Sequence, residues 1–266
     1  QAYYAARKRA SEPSAKSEKP RKPPTTSYVA VEVLRPAIQR IVKDHPAWGV
    51  RKVWATLRRE KLRVSQRRVW ALMKDMGLTL KPDRVREDDP PRGHVVVPEA
   101  NRRIATDLTT VHTKQDGNVA VVPVIDCGCR TTLVLSVTKS QASIPVLDPV
   151  RRALEKVFGT PDQVPDGLEL RSDHGPQYTG ADCDVFCKEW HLWHTFAPVG
   201  RPTGNSVVER FIRTMKEEVI WLRDWNSLAE LQEALDLWLI IYNEGRPHQA
   251  LNWQTPAERR AQLLAA

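Results

Sequence analysis

RIATDLTTV, residues 103–111, is the stretch on which the fold turns. Ile, Val and Thr at this density favour a strand, and two similar runs follow, NVAVVPVID (118–126) and TTLVLSVTK (131–139). The links between them are short and contain Asp116-Gly117 and Gly128, so the three runs read as an antiparallel meander. Downstream the period changes. Helices are expected over 144–158 and 181–190, strands over 168–172 and 192–196, and a long helix from Ser206. A meander followed by alternating helices and strands implies an α/β sheet covered by helices. After it, Ser227 is placed to cap an amphipathic helix with Leu228, Leu231, Leu235, Trp238 and Leu239 inward, and Thr255-Pro256-Ala257-Glu258 has the capping-box pattern.

Upstream, residues 28–80 hold three apolar blocks at helical spacing: Val33 to Ile41, Val50 to Leu57, and Val69 to Met76 behind a Ser65 cap and before Gly77. Three short helices with a tight last link resemble a helix-turn-helix. Residues 1–27 read as a flexible basic arm and 81–94 as a linker. That leaves a core over 95–226 and C-terminal helices over 227–266 that pack on it.

Lys and Arg number 41 against 32 Asp and Glu, a net charge of +9, and the excess is local. Between Trp48 and Lys74 stand nine basic residues and one acid, Glu60. Such a face attracts a polyanion, whose condensed counterions are released on binding. Candidate contacts to double-stranded DNA are Arg51, Lys52, Arg58, Arg59 and Arg63, with Gln66, Arg67 and Arg68 at the start of the third helix facing a groove or a phosphate. The four cysteines are too few for a disulfide scaffold, and no apolar run approaches the roughly 20 residues of a membrane span. With no secretory leader in view, a reduced, cytoplasmic protein is expected.

Three acids stand out. Asp107 lies among the apolar Ile104, Ala105 and Leu108, where a carboxylate costs free energy unless something pairs with it. Asp173, in RSDHGPQYTG (171–180), ends the fourth expected strand just before a sharp bend. Glu209 borders the apolar stripe Val208, Phe211, Ile212, Met215, Val219 and Leu222 of the helix after Ser206. Oxygen donors from two strands and a helix, meeting at one sheet end, suit hard cations: two magnesium ions, with manganese as a substitute. His174, Gln177 and Asn205 are hydrogen-bonding candidates beside these ligands.

SDHGPQYT followed by GRPTGNSVVERFIRTMKEE, with 35 residues between Asp173 and Glu209, resembles the catalytic core of retroviral integrases and DDE transposases, and ATDLTTV supplies the first acid. WGVRKVWATLRREKLRVSQRRVWALMKDMGL and YNEGRPHQALNWQTPAER are similar to the helix-turn-helix and closing motif of the bacterial insertion-sequence-three family. The resemblance implies a ribonuclease-H-like fold and magnesium-dependent cleavage and strand transfer at the element's terminal inverted repeats and the target DNA. It further implies copy-out, paste-in movement, a homo-multimer on DNA and an accessory protein encoded upstream. It also implies a DNA-holding role for Arg213 and Lys216, on the face of Glu209. The sequence departs from the family where Gly204 precedes Asn205, since many relatives have Asp there. Two rivals are a non-catalytic DNA-binding regulator and, less in keeping with the helix-turn-helix, an RNA-cleaving nuclease.

Cys183, Cys187, His191 and His194 form a zinc-like set by residue type. Yet Cys183, Phe186, Cys187 and Trp190 share one helical stripe, and the expectation is therefore a core face without zinc.

Overall fold

The computed structural model describes residues 29–80, 96–197 and 205–265; the expected arm, the linker and Gly204 lie outside the described residues. Helices α1 (Val31–Asp44), α2 (Val50–Arg59) and α3 (Gln66–Asp75) form from the three apolar blocks. Leu34, Ile38, Ile41, Val53, Leu57, Val69 and Met73 close into one buried cluster. The Ser65 hydroxyl accepts the Arg68 N–H and caps α3, and Gly77 turns the chain away with φ of 68°, where a side chain would be strained. No helix among the described residues is long and apolar enough to cross a membrane.

The second unit is built on β1 (Arg103–Thr106), β2 (Thr109–Thr113), β3 (Gly117–Asp126), β4 (Thr132–Thr138), β5 (Glu169–Ser172) and β6 (Trp193–Phe196). The strand expected over 103–111 is interrupted. β1 and β2 pair antiparallel with β3 in one continuous register, but Asp107 and Leu108 belong to neither. That register sets Pro123 opposite Asp107. Proline has no N–H for the ladder, and its carbonyl accepts the Thr106 hydroxyl at 3.0 Å. Asp107 thus stands at the carboxyl end of a strand rather than inside one.

β4 pairs with the far side of β3, whereas β5 lies parallel to β1 and β6 parallel to β5. The sheet is buried on both faces. Val119, Val121 and Ile125 pack on α7 (Ser206–Glu218) and α8 (Leu228–Ile240), while Val122 and Val124 pack on α4 (Ser143–Phe158) and α6 (Ala181–Glu189). The period-two alternation of one strand thereby serves two helical layers. This is a ribonuclease-H-like fold. The Ser227 cap on α8 and the Thr255 capping box on α9 (Pro256–Leu264) form as the sequence suggested.

α7 is shorter than its apolar stripe implied. Val208, Phe211, Ile212 and Met215 are buried, but Val219 leaves helical geometry with φ of −135° and Leu222 is exposed. Ending the helix there lets Ile220 and Trp225 turn into the core, where the Trp225 indole N–H donates to the Ile220 carbonyl at 3.1 Å.

The helical unit docks on the core through charge. Glu218, at the end of α7, accepts from Lys52 Nζ at 2.8 Å and from Arg246 of the closing motif at 3.0 Å, and both Glu218 and Arg246 are buried. Burial by itself would raise the Glu218 carboxyl, yet Arg246 and Lys52 outweigh it and hold the group below the usual range. Burial and then Arg246 lower the Lys52 ammonium, so Arg246 is the firmer partner. Arg59 bonds both oxygens of Glu258 on α9, at 2.8 and 2.6 Å, and Arg51 reaches Gln249 at 3.2 Å. Glu218→Gln leaves two cations facing a neutral amide and should cost about 3–5 kcal/mol in urea denaturation. Lys52→Met should cost less, because Arg246 keeps the carboxylate paired; equal losses would refute the ranking.

Candidate active site

Arg103, Ile104 and Ala105 of β1 lie opposite Glu169, Leu170 and Arg171 of β5. One step further, Thr106 and Ser172 end their strands at the same level, and each is followed by an aspartate. Parallel pairing therefore sets Asp107 and Asp173 side by side at the carboxyl ends of adjacent strands, where open α/β sheets carry their sites.

Local chemistry fixes each of them. Asp107 Oδ1 accepts the Leu108 N–H at 2.8 Å, and Asp173 Oδ1 accepts the Gly175 N–H at 3.0 Å. The second bond makes the bend after β5. A Cβ at Gly175 would fall 2.4 Å from the Gln177 side-chain nitrogen, so the Gln177 amide sits where it does because position 175 carries no side chain. Pro176 then starts the single-turn helix α5 (Pro176–Thr179), which buries Gln177 and Tyr178. His174 is exposed and stacks on Phe196 with ring centroids 4.8 Å apart.

Glu209 arrives from the first turn of α7, held by Asn205. The buried Asn205 donates its side-chain N–H to the carbonyl of Thr106 at 3.2 Å, which ties the start of α7 to the last residue of β1. Its Oδ1 has no hydrogen-bond partner among the described residues. Tyr178, fully buried, sets its hydroxyl 3.3 Å from Thr106 Oγ1 and supports the same residue from below. Sequence reading passed over Tyr178 and Pro123, although a proline inside NVAVVPVID was a visible signal.

The electrostatics of the site gather on Asp107. Burial pushes its carboxyl up to about 6 against the pull of the Leu108 N–H; Asp173 and Glu209 push the same way, and Lys216 opposes them. Burial also raises Glu209. Asp173, Glu209 and Lys216 thus all act on Asp107 at this sheet end. Their oxygens are more widely spread than the ligands of a single compact ion: among the described residues, the one His, Cys, Asp or Glu trio whose ligand atoms all lie within 4.8 Å is Cys183, Cys187 and His194.

The basic residues divide into two groups. Arg58, Arg63, Gln66 and Arg67 are exposed on the helical unit, and Arg68 is half-buried beside them. Arg51, Lys52 and Arg59, expected at DNA from the charge run, also meet the core, where Gln249, Glu218 and Glu258 stand opposite them. Arg51 and Lys52, with Arg130 and Arg210, line a cleft of about 700 Å³ that contains none of the three acids. Arg213 pairs with Glu217 at 2.6 Å, while Lys216 is half-buried and close enough to act on Asp107.

Such a fold and site define a polynucleotidyl transferase of the integrase kind. Residues 97–202 and 191–256 match two models described as integrase core domain, and residues 31–86 match an HTH-like domain. The chain is 30% identical over 245 residues to the transposase for insertion sequence element IS629 of Shigella sonnei, covering 88% of this chain and 80% of that protein. It is 28% identical over 233 residues to transposase InsD of insertion element IS2 from Escherichia coli, covering 83% and 76%. The fold is similar to a chain of the simian T-cell lymphotropic virus intasome, with a TM-score of 0.50, 15% identity, and 84% and 74% of the two chains covered. The chain belongs to the insertion-sequence-three family of transposases and is a DDE-type enzyme.

The raised Asp107 carboxyl has a consequence for stability. Below about pH 4 it is protonated in folded and unfolded chain alike; between about 4 and 6 the folded chain alone keeps the proton, so stability falls as pH rises through that window. Asp107→Asn removes the loss. Without divalent cations, the variant should exceed the wild type by about 1–3 kcal/mol at neutral pH and match it near pH 4. Urea denaturation across pH tests this, and a variant less stable than wild type at neutral pH would contradict it.

Proposed function

We propose that Asp107, Asp173 and Glu209 are the catalytic acids of this transposase and that they hold two divalent cations, magnesium or manganese in its place. The placement of two aspartates at matching ends of β1 and β5, with Glu209 acting on the Asp107 carboxyl, carries this reading. The donors are all carboxylate oxygens, the chemistry hard cations require, and their mutual repulsion is what a bound cation relieves. Bound there, magnesium supplies Lewis acidity to the phosphate and to the attacking hydroxyl.

The chain's own groups do the positioning. A DNA 3′ hydroxyl or a water molecule attacks a phosphate in line. The bond to the bridging 3′ oxygen opposite breaks and that oxygen leaves as a 3′ hydroxyl, taking up the proton the nucleophile gives up, and the three acids set where the phosphate lies. Lys216, beside Asp107, offers its ammonium to a DNA phosphate. Asn205 holds Glu209 over the end of β1, and Gln177 and His174 shape the bend that aims Asp173. Arg58, Arg63, Gln66, Arg67 and Arg68 meet the terminal inverted repeats, mainly through phosphates. Family membership supports copy-out, paste-in movement by a homo-multimer that joins two element ends to target DNA, aided by an accessory protein encoded upstream.

The test joins a labelled duplex carrying an element end to plasmid DNA in magnesium or manganese. Asp107→Asn, Asp173→Asn and Glu209→Gln should each reduce joining by at least about 10³-fold, roughly 4 kcal/mol of barrier, with end binding in a gel shift unchanged. Full joining by any of the three would remove that residue from the site. Asn205→Ala should lose about 10- to 100-fold at unchanged end affinity, the usual cost of removing a group that orients a ligand.

A further inference from the structure

Cys183 and Cys187 lie in the core as their stripe implied, and the same packing gathers ligand atoms that the proposed chemistry does not use. The two sulfurs of α6 are 3.9 Å apart, and Nδ1 of His194 on β6 lies 3.8 Å from Cys183 Sγ. All three ligand atoms fall within 4.8 Å of one another. A tetrahedral zinc with Zn–S near 2.3 Å and Zn–N near 2.05 Å separates two sulfurs by about 3.8 Å and a sulfur from a nitrogen by about 3.6 Å. The observed spacing is within a few tenths of an ångström of that geometry for two of the pairs.

The hydrogen-bond pattern around His194 points the same way. The Ser172 hydroxyl donates its one proton to the carbonyl of Asp173 at 2.9 Å, so at its other contact, 2.9 Å from His194 Nε2, it must accept. Nε2 therefore carries the proton. In the neutral imidazole Nδ1 is then bare, with its lone pair facing Cys183 Sγ. Metal-bound histidines are oriented this way, the remote N–H fixed by an oxygen acceptor. Cys183 is fully buried, which argues against a thiol exposed for reaction with solutes.

We propose that Cys183, Cys187 and His194 form a binding site for a soft divalent metal, zinc foremost, separate from the carboxylate site. Thiolates and imidazole select zinc, whereas magnesium and manganese prefer the carboxylates. His191 is exposed, with φ of 52° in the turn after α6, and stands outside the trio, so the three side chains are the protein's ligands to the metal. The metal joins α6 to β6, and through His194 and Ser172 it braces the strand end that carries Asp173.

The full chain, purified from zinc-supplemented cells and desalted, should hold about one zinc by mass spectrometry of the metal. The Asp107→Asn, Asp173→Asn double variant should retain it, while Cys183→Ser and His194→Asn should each fall below about 0.2 per chain. Cobalt added to zinc-stripped wild type should give a thiolate-to-cobalt charge-transfer band that saturates at about one equivalent, a readout that needs no variant to fold. Wild type with less than about 0.1 zinc and no cobalt–thiolate band would overturn the proposal. So would zinc that survives Cys183→Ser but leaves with the two aspartates.

Discussion

Parallel pairing of β1 with β5 is the constraint on which the rest depends. It brings Asp107 and Asp173, far apart in the chain, to the same level of one sheet edge. Everything around them serves that edge. Pro123 ends the ladder opposite Asp107, Gly175 admits the Gln177 amide beneath Asp173, and Tyr178 fills the space under Thr106. Thr106 is the meeting point: its hydroxyl donates to β3, its carbonyl holds Asn205, and its side chain touches Tyr178. Its neighbour Asp107 consequently has little room to move away from the other acids.

Holding acids together costs stability, and the fold meets that cost only in part. The Leu108 and Gly175 N–H groups each stabilise one carboxylate, and Lys216 offsets some of the repulsion at Asp107. Burial above all, with the repulsion that remains from Asp173 and Glu209, still pushes the Asp107 carboxyl up to about 6. A residual cost of this kind is common where a site is organised for a charged ligand rather than for the free protein. The sheet beneath, buried on both faces, is the rigid base that bears it.

A second charge cluster does a different task. Glu218 draws Lys52 from α2 and Arg246 from the closing motif onto the end of α7, the helix that carries Glu209. The YNEGRPHQALNWQTPAER segment is consequently more than a tail. Tyr242 packs on Phe211 of α7 at 4.8 Å and Asn243 bonds the backbone of Thr132, while Arg260, the next residue after the segment, pairs with the buried Asp126 at 3.0 Å. Basic residues that appeared equivalent along α2 divide by face, some toward solvent and some toward these acids.

Much of the fold was legible because local signals agreed with one another: strand runs of Val, Ile and Thr, the Ser65, Ser227 and Thr255 caps, and the apolar stripes of α1 to α3. The three acids were legible because each stood where local patterning gave it no purpose. What local pattern could not reach was any quantity set by a partner distant in the chain. The break at Asp107 depends on Pro123 across a ladder, the division of Arg51, Lys52 and Arg59 from Arg58 and Arg63 depends on Gln249, Glu218 and Glu258, 166 to 199 residues further along the chain, and the end of α7 depends on where Ile220 and Trp225 find the core. The sequence by itself determined which elements form and which residues carry unusual chemistry, since propensity and period are local. Only the tertiary structure decided which of those residues meet, because register, helix facing and the pairing of buried charges are properties of contacts between segments.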